Sequence, residues 1–305
     1  MRYDDFTIQS ESYRKDFWNK MMRGQTVPYE TMNKGAISSD TYVLPYDSNR
    51  KYMDALKEEC IFRQLATSIK SADSDLDIWV SDSDEPAEWA PSNTQQFIKD
   101  AAGQFSKKMV KCHKLAIITR MDRDFMQDVK FDMEKYLVKH FARRFGKAEE
   151  AAFVSGTGVD MPTGILHETD GAEVGVTAKA LTFDDVIALY FSAKTEYRTH
   201  GTWLMNDETA KVLRTLKDND GNYLWNHNSD TITGRPVNIC NAMPSTGKVI
   251  AFGDFSYYWI INRMPISVRA LVELYIMNHQ VGYLAHEYLD AKLIRPEAIK
   301  VLQLS

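Results

Sequence analysis

RDFMQDVKFDMEKYLVKHFARRFGKAEEAAFVSGTGVDMPTGIL, residues Arg123 to Leu166, is the stretch of sequence that decides the fold. In its first half, apolar residues recur in steps of three and four, which places them on one stripe of a helix. They are Met126, Val129, Met133, Leu137 and Phe141, with Tyr136 beside them. From Arg123 to Phe145 such a helix is roughly 35 Å long. We therefore predict a spine helix at 123–145 with one buried side, ended by Gly146 and the glycine-rich loop beyond it.

The segments on either side of this helix carry strand patterns. Val110 to Thr119 alternates imperfectly between apolar and polar residues, and Asp122 stands where a helix N-cap is expected. Near the C-terminus, Ile266 to Glu273 alternates as well, and Tyr275 to Leu293 continues without proline. We predict that these segments pack together with the spine helix.

Between these halves lies a mixed α/β insertion. Thr182 is predicted to cap a helix to about Tyr197, and Asn206 to cap another through Lys217, on either side of a short buried strand, Thr202-Trp203-Leu204-Met205. Asn, Asp and Gly between Leu216 and Leu224 supply turn chemistry. Further strands are predicted at Pro236 to Cys240, Val249 to Phe252 and Tyr257 to Asn262.

Two segments lack an obvious core of their own. Residues 1–48 show no sustained periodicity but hold many aromatic residues, so we predict an arm that orders against a neighbour, with Phe17 and Trp18 as contacts. A helix is predicted at Met53 to Leu65. Ile69 to Phe97 holds seven acids, has no Lys or Arg between Lys70 and Lys99, and is predicted to be a hairpin.

The hairpin has two interpretations. Isolated two-stranded ribbons are marginal in water, so the segment is either a solvated acidic loop or an extended arm that rests on another subunit. In the second interpretation Trp79 and Trp89 anchor the contact, because buried aromatic side chains carry much interface energy.

Composition bounds the class of protein. The chain has 305 residues and a net charge of −5, which disfavours a protein that coats nucleic acid through many phosphate contacts. It has no apolar run of membrane-spanning length and no signal-peptide core at its start, so we expect a cytosolic site of synthesis and no membrane. Cys60, Cys112 and Cys240 are isolated and form no metal or redox pattern.

Several motifs together resemble a known family. A long helix leads into Ala-Phe-x-x-Gly-x-Gly at 152–158 and then Pro-x-Gly-Ile-Leu at 162–166. The insertion holds Leu-Lys-Asp-x-x-Gly-x-Tyr-Leu at 216–224, followed by Gly-Arg-Pro-Val at 234–237, and the chain closes with Arg-Pro-Glu-Ala at 295–298. In this order they resemble the major capsid proteins of tailed bacteriophages, whose coat-protein fold is the Hong Kong 97 type.

The resemblance implies an α+β fold with four parts. Residues 1–66 are the N-terminal arm and a short helix, and 67–105 are the extended E-loop hairpin. Residues 106–155 and 271–305 form the P-domain around the spine helix, and 156–270 form the mixed α/β A-domain.

The resemblance also implies the function. Copies of the chain are expected to form hexamers and pentamers that close an icosahedral head around double-stranded DNA, which they enclose without sequence-specific binding. Portal, scaffolding and decoration proteins are the implied partners. The implied localisation is the virion, after assembly in the bacterial host cytoplasm. Many relatives carry a cleavable scaffolding segment before the arm; here scaffolding is supplied separately, or the helix at 12–23 is its remnant, or the numbering begins at a processed form.

Covalent crosslinking is not expected. Some relatives join an E-loop Lys to a P-domain Asn, helped by a Glu. Here the tip of the predicted hairpin has no Lys, and the Asn and Glu positions fall on His279 and His286, beside Asn278 and Glu287. Without the amine nucleophile the reaction has no first step.

The sequence motifs give little support for catalysis or for cofactor binding. The loop Ser155–Gly164 lacks the lysine of a phosphate-binding loop and follows a helix rather than a strand. Asp218, Asp220 and Asn222 echo a calcium loop without its final Glu, and the seven histidines form no cluster. We predict no catalytic residue, cofactor or metal. Two alternatives stay open: an encapsulin-like nanocompartment shell, and a soluble α/β enzyme that uses the Ser155–Gly164 loop.

Overall fold

The computed structural model describes residues 8–23, 36–38, 41–71, 75–81, 105–126, 131–218, 220–225 and 230–305. In them the helices are α1 (Glu11–Arg23), α2 (Tyr46–Glu59), α3 (Phe62–Leu65), α4 (Arg123–Met126), α5 (Met133–Ser155), α6 (Phe183–Ser192), α7 (Thr195–Arg198) and α8 (Asp207–Thr215). Short 3₁₀ turns occur at Phe255–Tyr257, Ile276–Asn278 and Pro296–Ala298.

The strands belong to two sheets and a separate ribbon. They are β1 (Ala36–Ser38), β2 (Thr41–Val43), β3 (Thr67–Lys70), β4 (Asp75–Ser81), β5 (Phe105–Lys111), β6 (His113–Asp122), β7 (Glu173–Ala178), β8 (Thr202–Met205), β9 (Thr231–Ile232), β10 (Arg235–Ile239), β11 (Lys248–Gly253), β12 (Tyr258–Leu271), β13 (Gln280–Leu293) and β14 (Ile299–Leu304).

The first sheet is built on two long antiparallel strands, β12 and β13. Its order is β1-β2-β12-β13-β6, and β3 adds to the other end of β12 in parallel. The second sheet has the order β7-β14-β11-β8-β10-β9 and mixes parallel with antiparallel pairs. Among the described strands, β4 and β5 pair only with each other, from Asp75 opposite Lys111 to Ser81 opposite Phe105.

The sheets do not follow the predicted domain limits. Strand β12 begins at Tyr258, inside the predicted A-domain, yet it lies in the first sheet with the P-domain strands. Strand β14 was grouped with the P-domain, but it pairs with β11 and β7 in the second sheet. The limits implied by the resemblance divide the chain in sequence order, whereas these strands pair with partners that are distant in sequence.

The long helix differs from the predicted spine at both ends. Its N-cap is Asp132, whose side chain accepts a hydrogen bond from Lys135 N, and α5 runs on through Gly146 to Ser155. The predicted helix 123–145 is therefore two helices: the short α4 begins at Arg123, directly after Asp122, and α5 begins at Met133 and ends ten residues beyond Phe145. A Cβ on Gly146 would lie 2.8 Å from Glu59 Cβ, so this glycine allows α2 and α5 to pack closely.

The predicted strand at 110–119 is divided at Cys112 into β5 and β6. Asp290 on β13 lies at this junction, and its Oδ2 accepts a hydrogen bond from Lys111 N at 3.0 Å. Strand β5 turns away to pair with β4, whereas β6 pairs with β13. The predicted helix at Met53 to Leu65 is likewise two helices, which separate at the extended residue Cys60.

In the α/β insertion, the predicted helix starts and the predicted buried strand are confirmed. Thr182 and Asp185 form a complete capping box, although α6 ends at Ser192 and not near Tyr197. The buried strand β8 covers the predicted four residues. Asn206 Oδ1 accepts from Thr209 N at 2.7 Å and starts α8, which ends at Thr215.

Candidate assembly surfaces

The β4–β5 ribbon has one anchored face and one free face. Side chains alternate across a strand, so Ile78 and Val80 point to one side of β4 and Trp79 to the other. Ile78, Val80 and Val110 are buried against Ile261 and Ile294 of the main body. Trp79 is 63% exposed. The sequence-predicted contact residue is thus on the outward face.

Polar contacts fix the base of the ribbon. Lys108 Nζ donates to Leu293 O at 3.0 Å, and Lys292 Nζ donates to Met109 O at 2.7 Å. Together with the Lys111–Asp290 hydrogen bond, these contacts tie β5 to β13. The orientation of the outward face relative to the body is therefore set by the chain itself.

The outward face combines an aromatic ring with paired charges. Lys107 Nζ is 2.8 Å from Asp77 Oδ2, and it lies 5.9 Å from the centre of the Trp79 ring. The acid and the base are both 44% exposed, so the pair adds little to stability. This surface offers a large apolar side chain within a nearly neutral polar surround. Trp89, the second predicted anchor, lies outside the described residues.

The N-terminal helix does not match its prediction. Phe17 and Trp18 on α1 are buried in the core of their own chain, where a neighbouring copy cannot reach them. Trp18 Nε1 donates to Ser48 Oγ at 3.1 Å, and Tyr13 OH donates to Val43 O at 2.8 Å. The prediction that Phe17 and Trp18 contact another copy is corrected, because the apolar stripe of α1 finds its partner within the chain.

A charged network holds α1 against the long helix. Arg14 forms a bidentate pair with Glu134 near the start of α5, and Lys51 Nζ reaches the same carboxylate at 2.8 Å. Although burial opposes it, hydrogen bonds from Lys51 and Arg14 hold the pKa of Glu134 below its usual value. Three helices therefore meet at one carboxylate.

The structure has an exposed apolar tip that the sequence did not predict. In the turn between β12 and β13, Leu274 and Ile276 are exposed and Met277 is 91% exposed. The strand β13 begins only at Gln280, after His279 adopts a left-handed backbone with φ of 53°. Asn278-His279 was the available signal, because both residue types are enriched in this conformation.

The Ser155–Gly164 loop is a closed structural turn. Thr157 and Thr163 form an isolated bridge, Gly164 N donates to Gly156 O at 2.9 Å, and Tyr258 OH donates to Thr163 O at 2.8 Å. Ser155 Oγ donates to the helical carbonyl of Ala151 at 3.1 Å. Serine side chains in helices commonly donate to the carbonyl four residues earlier. Among these contacts of the described residues, no base activates this hydroxyl as a nucleophile.

A groove of about 360 Å³ lies beside this loop. Small apolar residues of α5, with Leu115 and Leu289 of the first sheet, form much of its lining. Its titratable lining residues are His113, Lys114, Glu149 and Asp160, of which Glu149 is already paired with Arg63. The groove therefore offers shape and apolar surface rather than an acid–base pair.

Metal and membrane features are absent from the described part of the chain. There, no three metal-ligating side chains come together, and no helix has the length and apolarity to cross a bilayer. Burial raises the pKa of the Cys240 thiol to about 12 and that of Cys60 further, which keeps both in the unreactive thiol form.

A family comparison decides the identity. The model of the phage capsid family matches residues 40–304. The chain belongs to the phage capsid family. This confirms the predicted resemblance, and the capsid protein is a structural subunit whose copies assemble into a shell.

Solved capsid structures share the fold. The capsid of a native GTA particle, computed with C5 symmetry, is 29% identical, with a TM-score of 0.68 over 80% of this chain and 89% of that chain. The capsid of the empty GTA particle is also 29% identical, with a TM-score of 0.69 over the same shares. A structure from Microbacterium phage Oxtober96 is 18% identical, with a TM-score of 0.62 over 81% of this chain and 91% of that chain, and supports the fold alone.

No curated protein matches the chain. The α+β, Hong Kong 97-type fold predicted for the capsid protein is confirmed by the structural matches. Neither the encapsulin-like shell nor the soluble enzyme gains support from the family or from these structures.

Proposed function

We propose that the capsid protein forms hexamers and pentamers that close an icosahedral head around double-stranded DNA, and that the β4–β5 ribbon supplies a principal contact between copies. One observation carries this proposal: Trp79 is 63% exposed on a ribbon whose opposite face is anchored to the body. Tryptophan is enriched at interface hot spots, where it is covered by a partner.

The ribbon suits a contact that repeats around a ring. In a cyclic assembly each copy uses one surface to bind a different surface of the next copy, and the ring closes when the rotation permits. An anchored ribbon presents Trp79 at a fixed orientation, so less conformational entropy is lost on docking. The exposed tip at 274–277 is a second surface that we expect another copy to cover, because exposed apolar patches mark contact sites.

The four predicted parts are regrouped according to the strand pairing. We assign the β4–β5 ribbon to the E-loop, α5 with β6, β12 and β13 to the P-domain, and the second sheet to the A-domain. Residues 1–66 are assigned as the arm, whose helix α1 docks on its own subunit.

A complete phage head also contains proteins other than the shell subunit. Portal, scaffolding and decoration proteins are proposed to complete the head, with assembly in the host cytoplasm. A net charge of −5 suits a container, because a shell that held DNA through many phosphate contacts would oppose its release. We assign the chain no catalytic role.

Replacing Trp79 by alanine is the test of the ribbon contact. The side chain points outward, so W79A should fold with wild-type thermal stability while the yield of closed shells falls by at least about tenfold, the effect of a single contact worth about 1.4 kcal/mol. Sedimentation velocity of the purified protein measures both shells and free subunits. The variant W79F, which keeps an aromatic ring, should retain most assembly. Wild-type shell yield from W79A would show that the ribbon is not a principal contact.

The shell is expected to be held without covalent bonds between subunits. Lys70 and Lys99 bracket a stretch without lysine, so the predicted hairpin tip offers no amine for an isopeptide bond. Particles boiled in denaturant should run on a gel as a single 35.0 kDa band. A ladder of higher bands under reducing conditions would contradict this prediction.

A further inference from the structure

A buried charged cluster lies where the segment before the ribbon meets the long helix and the first sheet. Arg63 of α3, Glu149 of α5 and Glu287 of β13 are 4%, 1% and 6% exposed. Neither the β4–β5 ribbon nor the exposed tip at 274–277 uses these side chains, although Glu149 also lines the groove beside the 155–164 loop. The cluster joins three elements that are far apart in the sequence.

The guanidinium is committed to one of the two acids. Arg63 Nε donates to Glu149 Oε2 at 2.9 Å, and Arg63 Nη2 donates to Glu149 Oε1. Its third contact is to an amide, from Nη1 to Asn262 Oδ1 at 2.8 Å. Arg63 therefore forms its ion-pair hydrogen bonds with Glu149, and Glu287 interacts with it only through charge at longer range.

The second acid has no cation of its own. Tyr52 OH donates to Glu287 Oε2 at 3.1 Å, whereas the buried Oε1 has no hydrogen-bond donor among the described residues. On the strands beside it, Glu287 stands opposite Leu115 of β6 and a bulge of β12 between Met264 and Ser267. The residues in that bulge, Pro265 and Ile266, add no charge.

The cluster holds one guanidinium and two carboxyl groups, so one carboxyl has no positive charge to balance it. An isolated buried carboxylate is so costly that such a group takes up a proton instead. Burial, and then the nearby Glu149, raise the pKa of Glu287 well above its usual value, while Arg63 and Tyr52 oppose this less strongly. Burial also raises the pKa of Tyr52, so that phenol stays neutral. A proton on Glu287 lets it donate a hydrogen bond to Glu149.

We propose that Arg63, Glu149 and Glu287 form a buried proton-binding site that holds one proton per subunit and makes the stability of the capsid protein depend on pH. Helix α3 leads directly into β3 and then the ribbon, so the site controls how firmly the base of the ribbon segment is joined to α5 and β13. Loss of the proton leaves an uncompensated negative charge at that junction.

The sign of the pH dependence follows from the raised pKa. The folded chain binds this proton more tightly than the unfolded chain, in which the carboxyl titrates near 4.5. The stabilisation is complete below that value and is lost as pH rises through the pKa of Glu287 in the folded chain. We therefore expect shells to weaken progressively toward alkaline pH.

The variant E287Q tests the site in assembled particles of the full chain, because glutamine imitates the protonated carboxyl. The thermal midpoint of the wild type should fall relative to that of E287Q by about 2 °C per pH unit as pH rises from about 5 to about 8. E168Q, which changes an exposed acid, should follow the wild type. Equal slopes for wild type and E287Q would overturn the proposal.

An infrared measurement keeps the proposal testable if a variant folds poorly. At neutral pH the wild type should show the carbonyl band of a buried protonated carboxylic acid, and E287Q should lack it. The variant E149Q should also fold, and its thermal midpoint should lose the pH slope, because Glu287 then ionises to pair with Arg63. Absence of the carbonyl band in well-folded wild-type particles would refute the proton site directly.

Discussion

Replacing Phe62 by alanine is expected to lower the free energy of unfolding by about 3–5 kcal/mol. Phe62 is fully buried, and its ring centre lies 5.8, 5.9 and 5.4 Å from those of Phe153, Phe255 and Tyr258 in tilted, edge-on arrangements. These partners belong to α5, a 3₁₀ turn and β12, so one ring joins three parts of the core. Urea titration of full-length subunits, followed by circular dichroism, measures the loss.

Two control variants distinguish the cost of the cavity left by the Phe62 ring from the cost of substitution as such. F62L keeps most of the buried volume and should cost less than about 1.5 kcal/mol. Tyr46 at the start of α2 is 46% exposed, so Y46A should change stability by less than about 0.5 kcal/mol. If F62A were as stable as F62L, the aromatic cluster would not be the contact that holds α3 in place.

Replacing Arg63 by methionine is the second change with a large expected effect. The substitution removes the cation that pairs with Glu149 and leaves two buried carboxyls without a base, which should cost about 3–5 kcal/mol at neutral pH. Urea titration at neutral pH measures this loss of unfolding free energy, and the titration is then repeated at acid pH. The deficit in unfolding free energy should shrink there, because acid pH removes negative charge from the buried cluster.

A second substitution distinguishes lost charge pairing from lost packing. Adding Glu149→Gln to Arg63→Met removes the unpaired charge and should restore part of the stability, since replacement of a whole buried ion pair is often nearly neutral. If the double variant were less stable than R63M, the loss would come from packing. The electrostatic account of the cluster would then be wrong.

Local chemistry explains which elements the sequence predicted well. The cap at Asn206 and the capping box of Thr182 with Asp185 are formed by neighbours in sequence, and both are present in the structure. The four residues of β8 stand between these two helices as predicted. Such signals depend on residues three positions apart, so they survive folding of the rest of the chain.

Contacts between distant residues explain the errors. Gly146 was expected to end the long helix, yet it lies inside α5, where the absence of a Cβ leaves room for Glu59 of α2. The amphipathic pattern of α1 shows that Phe17 and Trp18 are buried but not whether their own chain or another copy covers them. Only the three-dimensional packing settles which surface is used.

Features with a local sequence signal could be predicted, and those formed by distant residues could not. Trp79 could be found because a large aromatic residue stands in a short strand bounded by acids. The buried cluster could not, since 86 residues separate Arg63 from Glu149 and Glu287 is farther still. No sequence pattern of fixed spacing links residues that meet only through the crossing of helices and a sheet.

Electron microscopy of the purified full-length protein tests the central claim most directly. We expect closed shells built from rings of five and six subunits, in which the outward face of each β4–β5 ribbon, with Trp79, is covered by a neighbouring copy. Subunits that stay as monomers or dimers under assembly conditions, or shells in which Trp79 remains open to solvent, would contradict it.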